Sequence, residues 1–189
     1  MIFATMALSA QTERGRLIIS GQTSLDISYS SGDTKNIRSS GGSIVQESYS
    51  LNISPAVGYF IVDDFALLLQ ADYEIQDADY KDKMSQFTIM PTASYYIPTK
   101  GVVRPFMIAG AGYANVTAHL PISESSTSRH SFSGFTWGVG AGAAFFINRN
   151  ISLDLSLQYS DINTTYSGDS SAKIKARGFA GSVGFSLYL

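Results

Sequence analysis

The chain has 189 residues, 13 basic against 15 acidic, a net charge of −2, 44% hydrophobic residues and no cysteine. That length fits one domain, the charge balance leaves no broad electrostatic footprint for nucleic acid, and the lack of cysteine excludes a disulfide framework or a thiolate-held metal. Mean hydropathy is only +0.06, and no apolar run approaches the roughly 18 unbroken residues of a spanning helix.

In chain order, residues 1–10 (MIFATMALSA) come first, a short apolar stretch that closes on Leu8, Ser9 and Ala10. Small residues at that place suit signal-peptidase cleavage before Gln11. No basic residue opens the stretch, so it is read as a signal peptide truncated at its start. From Leu17 onward apolar residues alternate with small or polar ones, the period of a strand with two unlike faces. Strands are predicted near Leu17 to Ser30, Ile44 to Ile61, Phe65 to Gln76, Gln86 to Ile97, Val102 to Ala118, Phe132 to Ile147, Ile151 to Tyr166 and Lys173 to Leu189.

The sixth strand shows the template most plainly. Phe135, Trp137, Val139, Ala141, Ala143, Phe145 and Ile147 are apolar, while Thr136, Gly138, Gly140 and Gly142 between them are small. In the seventh, Ile151, Leu153, Leu155, Leu157 and Tyr159 alternate with Ser152, Asp154, Ser156 and Gln158. In the third, Leu67, Leu69, Ala71, Tyr73 and Ile75 leave Asp72 and Glu74 on the other face. Such runs exceed the roughly 5 or 6 residues usual in soluble sheets and meet the roughly 9 to 11 that a tilted strand needs to cross hydrocarbon. A slip by one residue would carry carboxylates into lipid, so the register is tightly specified. The predicted fold is all-β, an eight-stranded antiparallel up-and-down transmembrane β-barrel over residues 11–189.

The connections divide into two kinds. Val62 to Asp64, Pro98 to Gly101 and Asn148 to Asn150 are tight turns. Ser31 to Ser43, Asp77 to Ser85, His119 to Ser131 and Ser167 to Ala172 are mostly longer and polar. Outer-membrane barrels have short periplasmic turns and longer extracellular loops. Before each tight turn stands an aromatic pair, Tyr59–Phe60, Tyr95–Tyr96 and Phe145–Phe146, of which one member must face lipid. With Tyr29, Tyr49, Tyr73, Trp137 and Tyr159 toward the loop ends, the members Tyr59, Tyr95 and Phe145 complete two expected aromatic girdles.

Asp26, Asn52, Asp72, Glu74, Asp154 and Gln158 are assigned to a polar interior, where Gly138, Gly140 and Gly142 leave room for small water pockets. Buried charges need partners; Arg16 and Arg104 at the turn end are the nearby bases, and acids they do not serve are expected to be protonated, solvated or paired with loop lysines. Lys173, Lys175 and Arg177 share the parity of lipid-facing Phe179; above the hydrocarbon they form a solvated strand end or, as the alternative reading, a contact with lipopolysaccharide phosphates. His119 and His130, with Ser123, Glu124, Arg129 and Ser131, are the one place a nucleophile–base pair would be sought. Solvated loop residues are the simpler reading, so no catalysis is expected. The glycines of the sixth strand have no following helix, which removes a dinucleotide-binding reading.

The segments SPAVGYFIVDDFALLLQADY (54–73), VVRPFMIAGAGYANV (102–116) and GFAGSVGFSLYL (178–189) resemble the small bacterial outer-membrane β-barrel family, often called porin-family or opacity-type barrels. The resemblance runs over nearly the whole chain from Leu17. It implies an outer-membrane location, contact with outer-membrane lipids and lipopolysaccharide, delivery by the barrel-insertion machinery, and no cofactor or metal. Many such barrels end in Phe, whereas here Phe185, Leu187 and Leu189 keep the alternation with Leu last. A monomer is expected, since a closed barrel leaves no strand edge to protect.

Two functions stand against each other at this point. One is a structural or adhesion-like surface role exerted through the loops 31–43 and 119–131. The other is a narrow channel for small solutes or ions, lined by the inward acids. A soluble sandwich or a lipocalin-type barrel would reverse the faces and put Leu153, Leu155 and Leu157 in a central core.

Overall fold

The computed structural model describes residues 11–27, 48–78, 82–123, 126–166 and 173–189. The expected signal peptide (1–10), Tyr29 and the loop 31–43 fall outside them. The strands are β1 (Leu17–Ile27), β2 (Ser48–Val62), β3 (Phe65–Ala78), β4 (Asp82–Tyr96), β5 (Val103–Ser123), β6 (Ser126–Phe146), β7 (Ile151–Tyr166) and β8 (Lys173–Tyr188). Each pairs antiparallel with the next, and β8 returns to β1 to close the barrel. Closure gives every strand two neighbours, the only way a sheet satisfies its backbone in lipid. Reciprocal 2.9 Å hydrogen bonds between Leu17 and Leu189 fasten the seam where the described ends of the barrel meet.

The faces fall as the alternation requires. Leu155 and Leu157 are 45% and 58% exposed, whereas Asp154, next to Leu155 on the other face, is 3% exposed inside the barrel. Ile53, Val57, Leu67, Leu69, Val139 and Phe185 share that outward exposure. The register holds this alignment from strand to strand, with Ala141 opposite Leu157 and Leu155 opposite Val183.

Side-chain chemistry sets the tight turns. At β2–β3, Asp64 takes a left-handed backbone (φ 62°), which Asp tolerates better than most residues. At β6–β7, the Asn148 side chain accepts hydrogen bonds from the amides of Asn150 and Ile151 at 2.8 and 2.9 Å, an Asx turn.

Toward the loop side two expectations change. Residues 119–123 and 126–131, read as part of a loop, continue the β5–β6 ladder through Leu120↔Ser128 to Ser123↔Ser126. Likewise Asp82 to Ser85 belong to β4, with Ala78↔Asp82 closing the hairpin from β3. Above the hydrocarbon both faces of a strand meet water, so apolar alternation vanishes while backbone pairing continues. By contrast, among the described residues the β1–β2 ladder stops at Gln22↔Ser54. Beyond it β1 stays with β8 and β2 with β3.

Candidate functional site

The lumen has two unlike halves. The loop-side half is a polar chamber of about 140 Å³, lined in part by Ser24, Asn52, Gln70, Asp72, Glu74 and Gln158. All stand at inward positions of their strands, and neighbours on the same face supply their partners. Gln70 Nε2 donates to Asp72 Oδ1 at 2.8 Å, and Ser54 Oγ donates to Asn52 Oδ1 at 2.8 Å. A chain runs from Gln158 Nε2 to Ser156 Oγ (3.5 Å), on to Ser182 Oγ (2.6 Å) and then to Gln22 Oε1 (3.3 Å), tying β7, β8 and β1 across the wall.

Beneath the chamber a cavity of about 30 Å³ remains, bounded by Gln70, Ser94 and Asp154 above Tyr96 and Phe106. That is about the space of a single water. Asp154 is held here by Ser152 Oγ at 2.6 Å and by Ser186 Oγ, which also lies 3.1 Å from Ser20 Oγ. Hydroxyls and an amide, rather than the turn-side arginines, hold Asp72 and Asp154. Arg104 instead reaches the β2–β3 turn, where Nη1 lies 2.7 Å from Asp64 Oδ1, while Arg16 Nη2 donates to the Tyr188 carbonyl at 2.8 Å.

The turn-side half is not polar, which corrects the expectation of a hydrophilic lumen throughout. Ile18, Phe60, Ala66, Tyr96, Phe106, Ala144, Phe146 and Tyr188 form one buried cluster. Ring centroids lie 5.6 Å apart for Phe60–Tyr96, 5.5 Å for Tyr96–Phe106 and 5.0 Å for Phe146–Tyr188. Eight strands enclose a space that side chains fill, and small residues opposite large ones let five rings fit. Two of the glycines expected to border water are used up in this way. A Cβ on Gly142 would lie 2.6 Å from the Phe106 ring, and one on Gly140 would lie 2.7 Å from Gln158 Cγ. Gly138 does line the chamber.

Residues 11–16 close the turn end outside these rings. Gln11 and Thr12 are buried. The Asp64 amide donates to the Thr12 carbonyl at 2.7 Å, the Gly15 amide to the Phe60 carbonyl at 2.9 Å, and the Arg14 amide to Asp63 Oδ1 at 2.8 Å. The Thr12 hydroxyl also meets both Asp64 and Arg104. Sequence reading missed both layers. The signal for the first was present, because Phe60, Tyr96, Phe106, Phe146 and Tyr188 carry the inward parity. The second rests on pairs far apart in sequence.

On the outer wall, Tyr59, Tyr95 and Phe145 face outward near the turns, and Tyr73 and Trp137 do so toward the loops. Tyr159 is half-buried between Trp137 and Phe179, with ring centroids 5.8 and 5.1 Å away. Arg177 is exposed, with Nε 3.8 Å from Asp161 Oδ2. Backbone pairing sets Asp26 opposite Ala180, Tyr49 opposite Asp77, Lys173 opposite Thr165 and Lys175 opposite Asn163. The side chains of these four lie outside the described ones. His119 pairs with Arg129 and His130 with Ala118. These are successive rows of the ladder, and the side chains of both histidines lie outside the described ones.

A family model described as outer membrane protein beta-barrel domain matches residues 1–186. No curated protein matches the sequence. Among solved structures, the chain is similar to Neisserial surface protein A, 16% identical with a TM-score of 0.63 over 92% of this chain and 96% of that one. It is similar to the outer membrane protein OprG of Pseudomonas aeruginosa, at 15% identity and a TM-score of 0.58 over 95% and 98% of the two chains. It is also similar to Ail, the attachment invasion locus protein of Yersinia pestis, at 14% and 0.57 over 93% and 99%. At these identities the likeness speaks to the fold alone.

Proposed function

Since the chain belongs to the outer membrane protein beta-barrel domain family and resides in the bacterial outer membrane, we propose that it is a non-enzymatic surface protein acting through its extracellular side. In this reading the barrel is an anchor. The polar connections, 31–43 and the β5–β6 hairpin above all, meet the partner. One observation carries it: the lumen is open and polar toward the loops but filled toward the periplasm by five packed rings, with residues 11–16 clasped beneath them.

The competing reading, a narrow conduit, draws on Asp72 and Glu74 in the chamber. An ion drawn in by those carboxylates would still meet an aromatic layer with room for about one water molecule above it. Passage would require five rings from β2, β4, β5, β6 and β8 to move together.

Planar-bilayer recordings separate the two. The purified full chain is expected to show no steady single-channel openings at neutral pH in molar salt. Bacteria displaying it should attach to a surface that it recognises, and should lose that attachment when 31–43 is replaced by a Gly–Ser linker of equal length. Sustained cation-selective openings, with attachment indifferent to the loop, would reverse the assignment.

A further inference from the structure

Gln11 stands where the leader peptide is expected to end. The residues before it close on Leu8, Ser9 and Ala10, small enough for signal-peptidase cleavage of the Ala10–Gln11 bond. In the barrel Gln11 is 0% exposed, yet neither Oε1 nor Nε2 of its side chain has a hydrogen-bond partner among the described residues. Native structures rarely leave a buried amide unpaired at both ends, because its desolvation goes uncompensated.

Cleavage at that bond would add a second cost. The new α-ammonium would lie one residue from Thr12, whose hydroxyl contacts the Arg104 guanidinium, itself only 3% exposed. Both nearby carboxylates are already engaged. Asp64 Oδ1 lies 2.7 Å from Arg104 Nη1 and accepts from the Thr12 hydroxyl, while Asp63 Oδ1 accepts from the Arg14 amide at 2.8 Å. An ammonium buried close to a guanidinium is opposed by desolvation and by repulsion alike.

One intramolecular step removes both costs. We infer that the mature chain begins at Gln11 and that Gln11 is closed to pyroglutamate. The α-amino nitrogen attacks Cδ of the side-chain carboxamide. The N–Cδ bond forms, the Cδ–Nε2 bond breaks, and a proton passes from the attacking nitrogen to the departing one, which leaves as ammonia. No oxidant, reductant or second substrate is consumed. The resulting lactam is neutral, has shed the unpaired Nε2, and is more compact than the open side chain, as a position without exposure requires. Since Gln11 is out of reach of solvent in the barrel, the ring closes before the turn end is sealed, and the folded protein then shields it. This modification is independent of what the loops recognise.

The test uses the protein purified from the outer membrane of its own bacterium and analysed at once. Intact mass is expected to match residues 11–189 less one ammonia, and the amino terminus should resist Edman degradation. Pyroglutamyl aminopeptidase should leave the folded barrel intact and remove the ring once the barrel is unfolded by heat. Gln11→Ser, which has no carboxamide to cyclise, should give a chain of the encoded mass that Edman chemistry reads from Ser. A mature chain that starts at another residue, a free amine on Gln11, a ring that appears only on storage, or a ring removed as fast from the folded barrel as from the unfolded one would overturn the assignment.

Discussion

Gly142→Val is expected to prevent stable assembly of the barrel. An added Cβ would lie 2.3 Å from the Leu155 carbonyl oxygen, 2.6 Å from the Phe106 ring and 2.8 Å from Ser156 Cβ. The ring is packed against Tyr96, their centroids 5.5 Å apart. The carbonyl belongs to the β6–β7 backbone and cannot retreat without opening the ladder. Overpacking of a close-packed core costs about 1–3 kcal/mol or more, and contact with backbone places this case at the high end. Urea titration of the refolded protein in vesicles should show the loss, together with disappearance of the heat-shifted band. Gly178→Ala is the matched control, because nothing lies within 4 Å of the Cβ it adds. Its midpoint should stay put, and a Gly142→Val barrel as stable as the parent would remove the rings as the reason for that glycine.

Leu155→Arg should destabilise the folded state by about 2–4 kcal/mol, the cost of a cation on the lipid face of a barrel near the midplane. Leu155 lies between the turn-side row of Leu153 and Phe145 and the loop-side row of Tyr159 and Phe179, facing outward. Ile151→Arg, on the same strand and face but beside the turn, should cost only about 0–1 kcal/mol, since the penalty falls away at the interface. The same unfolding experiment reads both. Equal costs at the two depths would mean that Leu155 does not sit in hydrocarbon.

These expectations show which parts of the molecule were legible in sequence. Lipid imposes one rule on every outward position of every spanning strand, so the run from Phe135 to Ile147 and the run from Ile151 to Tyr159 announce strand, face and register together. The lumen obeys a looser rule. Side chains that fill a narrow barrel can hydrogen-bond, as Asp154 does with Ser152, or pack, as Phe60 does with Tyr96. Parity alone cannot tell which half takes which course. Above the membrane even the alternation disappears, and 119–131 read as a loop though most of it is paired backbone. The clasp of Thr12, Asp64 and Arg104 illustrates a third limit. Composition shows that Arg104 is a base near a turn, but a partner 40 residues away becomes visible only when closure of the barrel brings β5 beside the β2–β3 turn.

The most direct test of inward polarity and outward greasiness uses the absence of native cysteine. Single cysteines are placed in turn at 151–159, spin-labelled, and the barrel is refolded in lipid vesicles. Relaxation by oxygen, which partitions into hydrocarbon, is then compared with relaxation by a water-soluble nickel chelate. A barrel with its apolar face in lipid predicts a period of two, with the labels at 153, 155 and 157 relaxed by oxygen and those at 154 and 156 shielded from it. An inverted pattern, or none along the strand, would contradict it.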